Sequence, residues 1–214
     1  MNASEALTIA RNGVSLEAVL HVPEAQGPVP GVVVCHPHPL YGGDMHNNVV
    51  MAIVAGVLDA GAAALRFNFR GVPGSTGTHD KGNGERDDAV AALRAMREDK
   101  RVDGSRVGIA GYSFGANVAM AVAAGDSAVP ALALVGAPAA GLATPEATGY
   151  PHPKLIVAGD RDNALPADQI DALTRAMKGP VEVQVLPGAD HFLLGYEGAI
   201  SKQVQAFFAA TLAG

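Results

Sequence analysis

One serine of the chain lies in a pattern that can turn its hydroxyl into a nucleophile. Residues 111–115 read GYSFG, at the end of an apolar run and before a segment of small residues at 114–125. This G-x-S-x-G spacing between strand and helix is typical of a nucleophile elbow, because small residues on both sides let neighbouring backbone approach a strained turn. The start of the following helix directs its positive dipole end at the serine, which favours a developing anion. We therefore predict that Ser113 is a catalytic nucleophile.

A serine nucleophile needs a general base and a carboxylate that orients the base, and candidates for both follow later strands. The apolar segment KLIVAG leads into Asp160 and Asp162, and the segment VEVQVL leads into Asp190 and His191. The order Ser, Asp, His along the chain is the one expected after an elbow of this type. We predict His191 as the base and Asp162 as the acid that fixes its tautomer. Asp160, directly after its strand, is the alternative acid but can instead brace the turn, and Asp190 is interpreted as supporting its loop or the neighbouring His191.

A histidine-rich loop suggests a second kind of chemistry, since its side chains include ligands that a divalent metal accepts. Residues 32–48 read VVVCHPHPLYGGDMHNN, which places His36, His38, Asp44 and His46 close together. His36 and His38 each precede a proline, however, and are held extended, so that converging both on one ion is awkward. We predict no metal site and expect His36 to buttress the turn by hydrogen bonds to backbone.

The same loop can supply a donor for the oxyanion of acyl transfer. One donor is expected to be the backbone N–H of Phe114, directly after the nucleophile, and the other an amide of this loop. The two prolines of the loop have no N–H, which leaves His38, Leu40 or Tyr41. We favour Leu40, reading residues 38–40 as the equivalent of a His-Gly-x turn.

Three further side chains are predicted to lie around the substrate. Tyr41 and Tyr112 flank the loop and the nucleophile in sequence, and Arg70 follows another strand that ends at the same edge. An arginine in this position pins loop carbonyls more often than it clamps a substrate carboxylate. The glycine-rich run at 71–84 lacks the spacing of a phosphate-binding loop.

The elements that position these residues alternate regularly along the chain. Short apolar runs are typical of strands covered on both faces, and a half-polar run at 14–22 is typical of a strand near an antiparallel edge. The predicted buried strands are 31–35, 62–67, 107–111, 131–136, 154–159 and 181–188, and the predicted helices are 47–60, 85–98, 114–125, 166–178 and 197–212. This alternation predicts a doubly wound α/β fold, a mostly parallel sheet with helices on both faces. Ligands of such sheets lie at the carboxyl ends of the strands, where the candidate residues occur.

Composition excludes several other classes of function. The 214 residues include 49% hydrophobic and 17% charged residues, which suits a single domain over 1–214. A net charge of −6 without any basic run argues against nucleic acid or membrane as partner. The single Cys35 allows no internal disulfide. No apolar run is long enough to span a bilayer and no signal peptide is evident, so we expect a cytoplasmic protein.

Taken together, the motifs HPHPLYGG, RFNFRG, GYSFGA, GDRD and GADHF resemble, in this order, those of the α/β-hydrolase superfamily. The chain is most similar to small lidless hydrolases related to dienelactone hydrolase, over residues 15–210. The resemblance implies the α/β-hydrolase fold and a Ser-Asp-His triad at Ser113, Asp162 and His191, with no cofactor. Dienelactone hydrolases themselves use a cysteine where this chain has Ser113.

We therefore predict a serine hydrolase of small-molecule acyl compounds, most simply a carboxylesterase that forms an acyl-enzyme. About 15 residues separate the predicted strand at 131–136 from the next one, too few for a lid, so the site should be open to small soluble esters. A thioesterase or a peptidase would use the same triad, and a non-catalytic binding protein could retain the same fold. The sequence leaves the oligomeric state open.

Overall fold

The structure, a computed structural model, describes residues 3–213 and is built around one eight-stranded sheet. The strands are β1 (Ala3–Arg11), β2 (Val14–Val22), β3 (Val29–Cys35), β4 (Ala63–Phe67), β5 (Val102–Tyr112), β6 (Leu132–Val135), β7 (Lys154–Gly159) and β8 (Val181–Leu186). The helices are α1 (Asn48–Asp59), α2 (Asn83–Glu98), α3 (Phe114–Gly125), α4 (Ala139–Leu142), α5 (Pro145–Gly149), α6 (Ala167–Arg175) and α7 (Glu197–Thr211), and a 3-10 turn covers Pro39–Tyr41.

The strand order places the candidate loops along one edge of this sheet. The order is β1-β2-β4-β3-β5-β6-β7-β8, and all pairs from β4 to β8 are parallel. Only β2 pairs antiparallel with both of its neighbours. The loops after β3, β5, β7 and β8 therefore leave the same carboxyl edge, where the chain order reverses around β3 and β5. The predicted mostly parallel, doubly wound α/β fold is confirmed.

Two apolar layers enclose the sheet, because alternate side chains of each strand point to opposite faces. In β3, Val33 and Cys35 join the layer beneath α2, α3 and α6, whereas Val32 and Val34 join the layer beneath α1 and α7. The strands thus appear in the sequence as continuous apolar runs, with both faces buried.

The N-terminal hairpin is the main element that the sequence analysis missed. β1 pairs along its whole length with β2. The connection is Asn12-Gly13, with φ of 48° and 81°. Both residues are left-handed, and Asn-Gly between alternating segments is the strongest short hairpin signal, so the sequence did contain the information.

The helices predicted from spacing are present with shifts of a few residues at their ends. Asn47 caps α1, as its side chain accepts a hydrogen bond from Val49 N–H at 2.9 Å. Two short helices, α4 and α5, occupy part of the stretch for which a lid was excluded. The longest helix, α2, has 16 residues, and no helix within residues 3–213 has the length and apolar character to cross a membrane.

Lys154, the first residue of β7, is a buried cation at the opposite end of this strand from Asp160 and Asp162. Its Nζ donates a hydrogen bond to the Lys178 carbonyl and lies 5.3 Å from the centroid of the Tyr150 ring. Burial lowers the pKa of Lys154 from 10.5 to about 8. Between these two values the unfolded chain binds the proton more strongly than the folded protein does. Stability contributed by this residue therefore falls as the pH falls from 10.5 towards 8.

We expect Lys154→Met to be more favourable to stability at pH 7 than at pH 10, because only at the lower pH does the wild-type protein bury a charge. The free-energy difference between variant and wild type should change by about 2 kcal/mol between the two conditions. Urea unfolding at both pH values measures this change. Lys202→Met, at an exposed position of α7, gives the baseline for losing a surface lysine. A difference that does not vary with pH would contradict the prediction.

Candidate active site

Ser113 lies on a strained turn between β5 and α3. Its φ of 54° and ψ of −115° fall in a region that L-residues rarely adopt, at a cost of about 1 to 3 kcal/mol. The flanking glycines are required by close packing. A Cβ at Gly111 would collide with the Gly115 carbonyl, and one at Gly115 would collide with the carbonyls of Cys35 and His36. The G-x-S-x-G spacing thus reflects the approach of α3 to the end of β3.

The three predicted catalytic side chains come from three loops and form one hydrogen-bonded chain. Ser113 Oγ lies 2.9 Å from His191 Nε2, and His191 Nδ1 lies 2.9 Å from Asp162 Oδ2. Asp162 is buried, and its Oδ1 also accepts a hydrogen bond from Ala164 N–H at 2.7 Å. The acceptor-only carboxylate assigns the proton to Nδ1. His191 Nε2 is then the acceptor that faces the serine hydroxyl.

Tyr112 holds the backbone of the loop that carries His191. Its hydroxyl donates a hydrogen bond to the His191 carbonyl at 2.8 Å. Burial, followed by the nearby charges of Asp162 and Asp190, raises the pKa of Tyr112 to about 12, so the hydroxyl keeps its proton and remains a donor. Tyr112 also lines the groove, as predicted for a pocket residue. Its hydrogen bond to the histidine loop had no signal in the sequence.

The other two aspartates near these loops hold backbone turns. Asp160 Oδ1 accepts a hydrogen bond from Gly188 N–H at 2.7 Å, which ties the loop after β7 to the loop after β8. Asp190 Oδ1 accepts one from Phe192 N–H at 3.0 Å. These contacts match the supporting roles that the sequence analysis gave to both residues. Neither is hydrogen-bonded to His191 through its side chain.

The loop after β3 presents a different amide from the one that we favoured. Leu40 N–H donates to His38 Nδ1 at 3.2 Å, and Tyr41 N–H donates to the His38 carbonyl at 3.1 Å. Among residues 3–213, none accepts a hydrogen bond from the amides of His38 and Phe114. The 3-10 turn at Pro39–Tyr41 thus engages the amides of Leu40 and Tyr41 within the loop, and only the His38 amide of the three candidates has no acceptor among the described residues.

His36 fixes the base of this loop. It is buried, its Nδ1 lies 2.6 Å from the Pro37 carbonyl, and its Nε2 accepts a hydrogen bond from Phe69 N–H at 2.9 Å. Burial lowers the pKa of His36 to about 4, so the imidazole is neutral, with its proton on Nδ1. Both ring nitrogens are thus engaged by backbone.

The remaining candidate metal ligands are also engaged separately. Asp44 Oδ1 accepts a hydrogen bond from His46 N–H at 2.7 Å, and His46 Nδ1 lies 3.1 Å from Arg66 Nη1. Within the described residues, no three His, Cys, Asp or Glu side chains form a group that could hold a metal ion.

Arg70 does not contribute to the groove, contrary to its placement among the pocket residues. Its guanidinium pairs with the buried carboxylate of Asp88, with Nη2 2.7 Å from Oδ1, and its backbone N–H donates to Asp88 Oδ2 at 3.0 Å. The role is structural, as the alternative in the sequence analysis had it, but the partner of the guanidinium is the Asp88 carboxylate and not a loop carbonyl. The hydrogen bond and charge of Asp88 raise the pKa of Arg70.

A groove of about 410 Å³ opens over Ser113. Most of its lining is apolar or aromatic, which is typical of a small-molecule site. It is lined by Pro37, His38, Tyr41, Gly42, Gly43, Asn47, Tyr112, Ser113, His191 and Phe192. Phe192 is a lining residue that the sequence analysis did not select, although it directly follows the predicted base.

A second carboxylate and imidazole lie behind the loop amides, and the sequence analysis missed both. His79 packs against the rings of His38 and Phe114, with centroids 4.8 and 5.6 Å apart. Its Nδ1 lies 2.9 Å from Oε1 of buried Glu85, in a close contact without hydrogen-bond geometry. Glu85 also accepts Gly82 N–H at 2.7 Å, the capping interaction at the start of α2. The available signal was the pattern G-x-G-E at the start of α2. In the sequence analysis this glycine-rich run was considered only as a phosphate-binding loop, and that interpretation was rejected.

The chain was compared with protein-family models and with known proteins. The model of the dienelactone hydrolase family matches residues 16–209. The chain belongs to the dienelactone hydrolase family. An uncharacterised protein of Rickettsia prowazekii is 32% identical over 186 residues, which cover 83% of this chain and 78% of the relative.

Solved structures of similar proteins share the fold of this dienelactone hydrolase family member. An α/β serine hydrolase homologue from Coxiella burnetii is 33% identical, with a TM-score of 0.84 and coverage of 94% of this chain and 96% of that one. An α/β serine hydrolase without a lid from Xanthomonas campestris is 27% identical, with a TM-score of 0.85 and coverage of 99% and 96%. The family and these relatives identify the chain as a hydrolase with the α/β-hydrolase fold and confirm the resemblance seen in the sequence.

For this family member we expect an acid-dependent loss of stability that originates at His36. The folded-state pKa of about 4 is below the value of 6.5 for an unperturbed histidine, so the unfolded chain binds the proton more strongly between these pH values. Stability contributed by His36 is therefore present above pH 6.5 and is lost as the pH falls towards 4.

In His36→Gln the side-chain amide can still accept from Phe69 N–H. Between pH 7 and pH 4, the free energy of unfolding of this variant should fall by about 2 to 3 kcal/mol less than that of the wild-type protein. Denaturant unfolding of both proteins across this range measures the difference. Parallel pH profiles would show that His36 titrates in the same way in both states.

Proposed function

We propose that the protein is a serine carboxylesterase that acts on small esters through an acyl-enzyme. The observation that carries the proposal is the hydrogen-bonded chain from Ser113 through His191 to buried Asp162, at the carboxyl edge of the sheet. The open groove above Ser113 gives a small ester access to the hydroxyl, and the family is one of hydrolases.

Each side chain then has a defined step. Ser113 Oγ attacks the ester carbonyl while its proton passes to His191 Nε2, and Asp162 stabilises the imidazolium that forms. Collapse of the tetrahedral intermediate breaks the ester bond, and His191 returns the proton to the leaving alkoxide, which departs as the alcohol. A water molecule activated by His191 then attacks the acyl-enzyme, releases the carboxylic acid and restores Ser113. The steps use side chains of this chain and one water molecule, and require no cofactor.

Two backbone amides are the proposed hydrogen-bond donors to the oxyanion of the tetrahedral intermediate. Phe114 N–H lies at the start of α3, where the helix dipole adds positive potential. His38 N–H is the amide of the opposite loop that no group of the described chain accepts. Both residues border Ser113, and His38 is held by the hydrogen bonds of His36 below it. We assign the oxyanion hole to these two amides.

Covalent labelling tests the nucleophile. A fluorophosphonate probe should react with the wild-type protein, because it needs a serine activated by a base, and Ser113→Ala should abolish the labelling. Mass spectrometry of the labelled peptide locates the adduct. If folded wild-type protein stays unlabelled, the non-catalytic binding protein becomes the better interpretation.

The two aspartates after β7 form a matched pair for testing the acid. Asp162→Ala should reduce kcat for p-nitrophenyl acetate by at least about 10³-fold, because His191 loses the partner that fixes its tautomer. Asp160→Ala removes only the contact with Gly188 N–H and should retain activity within about tenfold. Equal losses, or the reverse order, would exclude Asp162 as the orienting acid.

A further inference from the structure

The most exposed large apolar side chains of the described chain cluster around the groove. Leu40, Tyr41, Phe192 and Leu194 are 70%, 87%, 71% and 77% exposed, whereas the other exposed large apolar side chains of residues 3–213 reach at most 41%. All four belong to the two loops that border Ser113, the loop after β3 and the loop after β8. A cluster of exposed apolar groups at one place marks a binding surface.

The backbone of the loop after β8 adopts an unfavourable conformation where it exposes Phe192 and Leu194. Leu193 has a φ of +54°, a left-handed conformation that is unfavourable for leucine. Its own side chain is buried, while those of Phe192 and Leu194 on either side remain in solvent. The turn is held by hydrogen bonds from Phe192 N–H to Asp190 Oδ1 and from Leu193 N–H to the Asp190 carbonyl. Strain of this kind persists where the surrounding structure enforces it, commonly at binding sites.

The two aromatic rings of this cluster come from different loops, and each packs against a histidine beside the groove. Tyr41 packs against His38, with ring centroids 4.8 Å apart, on the side of the proposed oxyanion hole. Phe192 packs against His191, with centroids 6.2 Å apart, on the side of the proposed base. Both line the groove. A flat ring attached next to a carbonyl at Ser113 can therefore stack on one of them.

The groove is also selective in charge. No lysine or arginine is among its lining residues, and the nearby Arg70 is paired with Asp88. His191 contacts the carboxylate of Asp162, and the charges of Asp162 and Asp190 both act on the neighbouring Tyr112. An anionic substituent on the substrate would lose water without gaining a cationic partner.

We propose that the substrates are uncharged esters with an aromatic ring next to the scissile bond, and that Tyr41 and Phe192 form the subsite for this ring. The proposal rests on the esterase function proposed above and adds the substrate class. It assigns to Tyr41 and Phe192 a role in specificity, in contact with the substrate.

Matched pairs of esters test the subsite. Benzyl acetate is compared with cyclohexylmethyl acetate, and methyl phenylacetate with methyl cyclohexylacetate, by acid release at constant pH. The members of each pair have similar bulk and ester reactivity and differ in aromaticity, with the ring on the alcohol side or on the acyl side. In at least one pair the aromatic ester should have a kcat/KM about tenfold higher. For 4-carboxybenzyl acetate, kcat/KM should be at least tenfold lower than for benzyl acetate.

The variants Tyr41→Leu and Phe192→Leu, singly and combined, should reduce the ratio of aromatic to cyclohexyl ester towards one. Val90→Ala, at an exposed apolar position on α2, is the control that should leave this ratio unchanged. A fall of both rates by the same factor leaves the ratio intact and overturns the proposal, as does a wild-type ratio near one in both pairs. A dimer that depends on Tyr41 and Phe192, with an unchanged ratio, would assign the cluster to a second copy of the chain.

Failure of the subsite and failure of the esterase proposal give different results. If ethyl acetate is hydrolysed by the wild-type protein but not by Ser113→Ala, and no aromatic preference is found, only the subsite is excluded. If no ester of the set is hydrolysed and the fluorophosphonate probe does not react, the proposed esterase function itself is excluded.

Discussion

The structure depends above all on the close approach of the start of α3 to the end of β3. A side chain at Gly115 would collide with the Cys35 and His36 carbonyls, so the contact exists only because residue 115 has no Cβ. This approach forces Ser113 into its left-handed conformation and brings the loop after β3 beside the serine. One steric constraint thus places both the hydroxyl and the amides that surround it.

The two histidines His36 and His191 have different surroundings and therefore suit different roles. His36 stays neutral because burial depresses its pKa, and in this form it can accept from Phe69 N–H while donating to the Pro37 carbonyl. His191 differs, since it is partly exposed and contacts the buried carboxylate of Asp162, which can stabilise a positive charge. The first imidazole suits a structural role, and the second suits proton transfer.

The surroundings of the groove combine rigidity with apolar exposure. Arg70, which could have offered a cation, is bound on several atoms by Asp88 and supports the loop after β4. The loop after β8 is held by Asp160, Asp190 and Tyr112, and its strained Leu193 leaves the neighbouring Phe192 in solvent. Ser113, His191 and Asp162 are preorganised, because hydrogen bonds connect their side chains to one another and tie Asp162 to the backbone.

The sequence by itself determined the fold class, the positions of the buried strands along the chain and the residues that follow them. Ser113, Asp162 and His191 could be selected because parallel strands bring their carboxyl ends to one edge, whatever the details of packing. The hydrogen bond of Leu40 N–H within its own loop, and the pairing of Arg70 with Asp88, depended on which groups within reach compete for the same hydrogen bond. Only the tertiary structure decides such competition, since the partners are distant in sequence or selected by turn geometry. The exposure of aromatic rings at the groove could not be predicted from the sequence either. Periodicity indicates which residues a helix or strand buries, but it does not indicate which side chains of a loop are exposed.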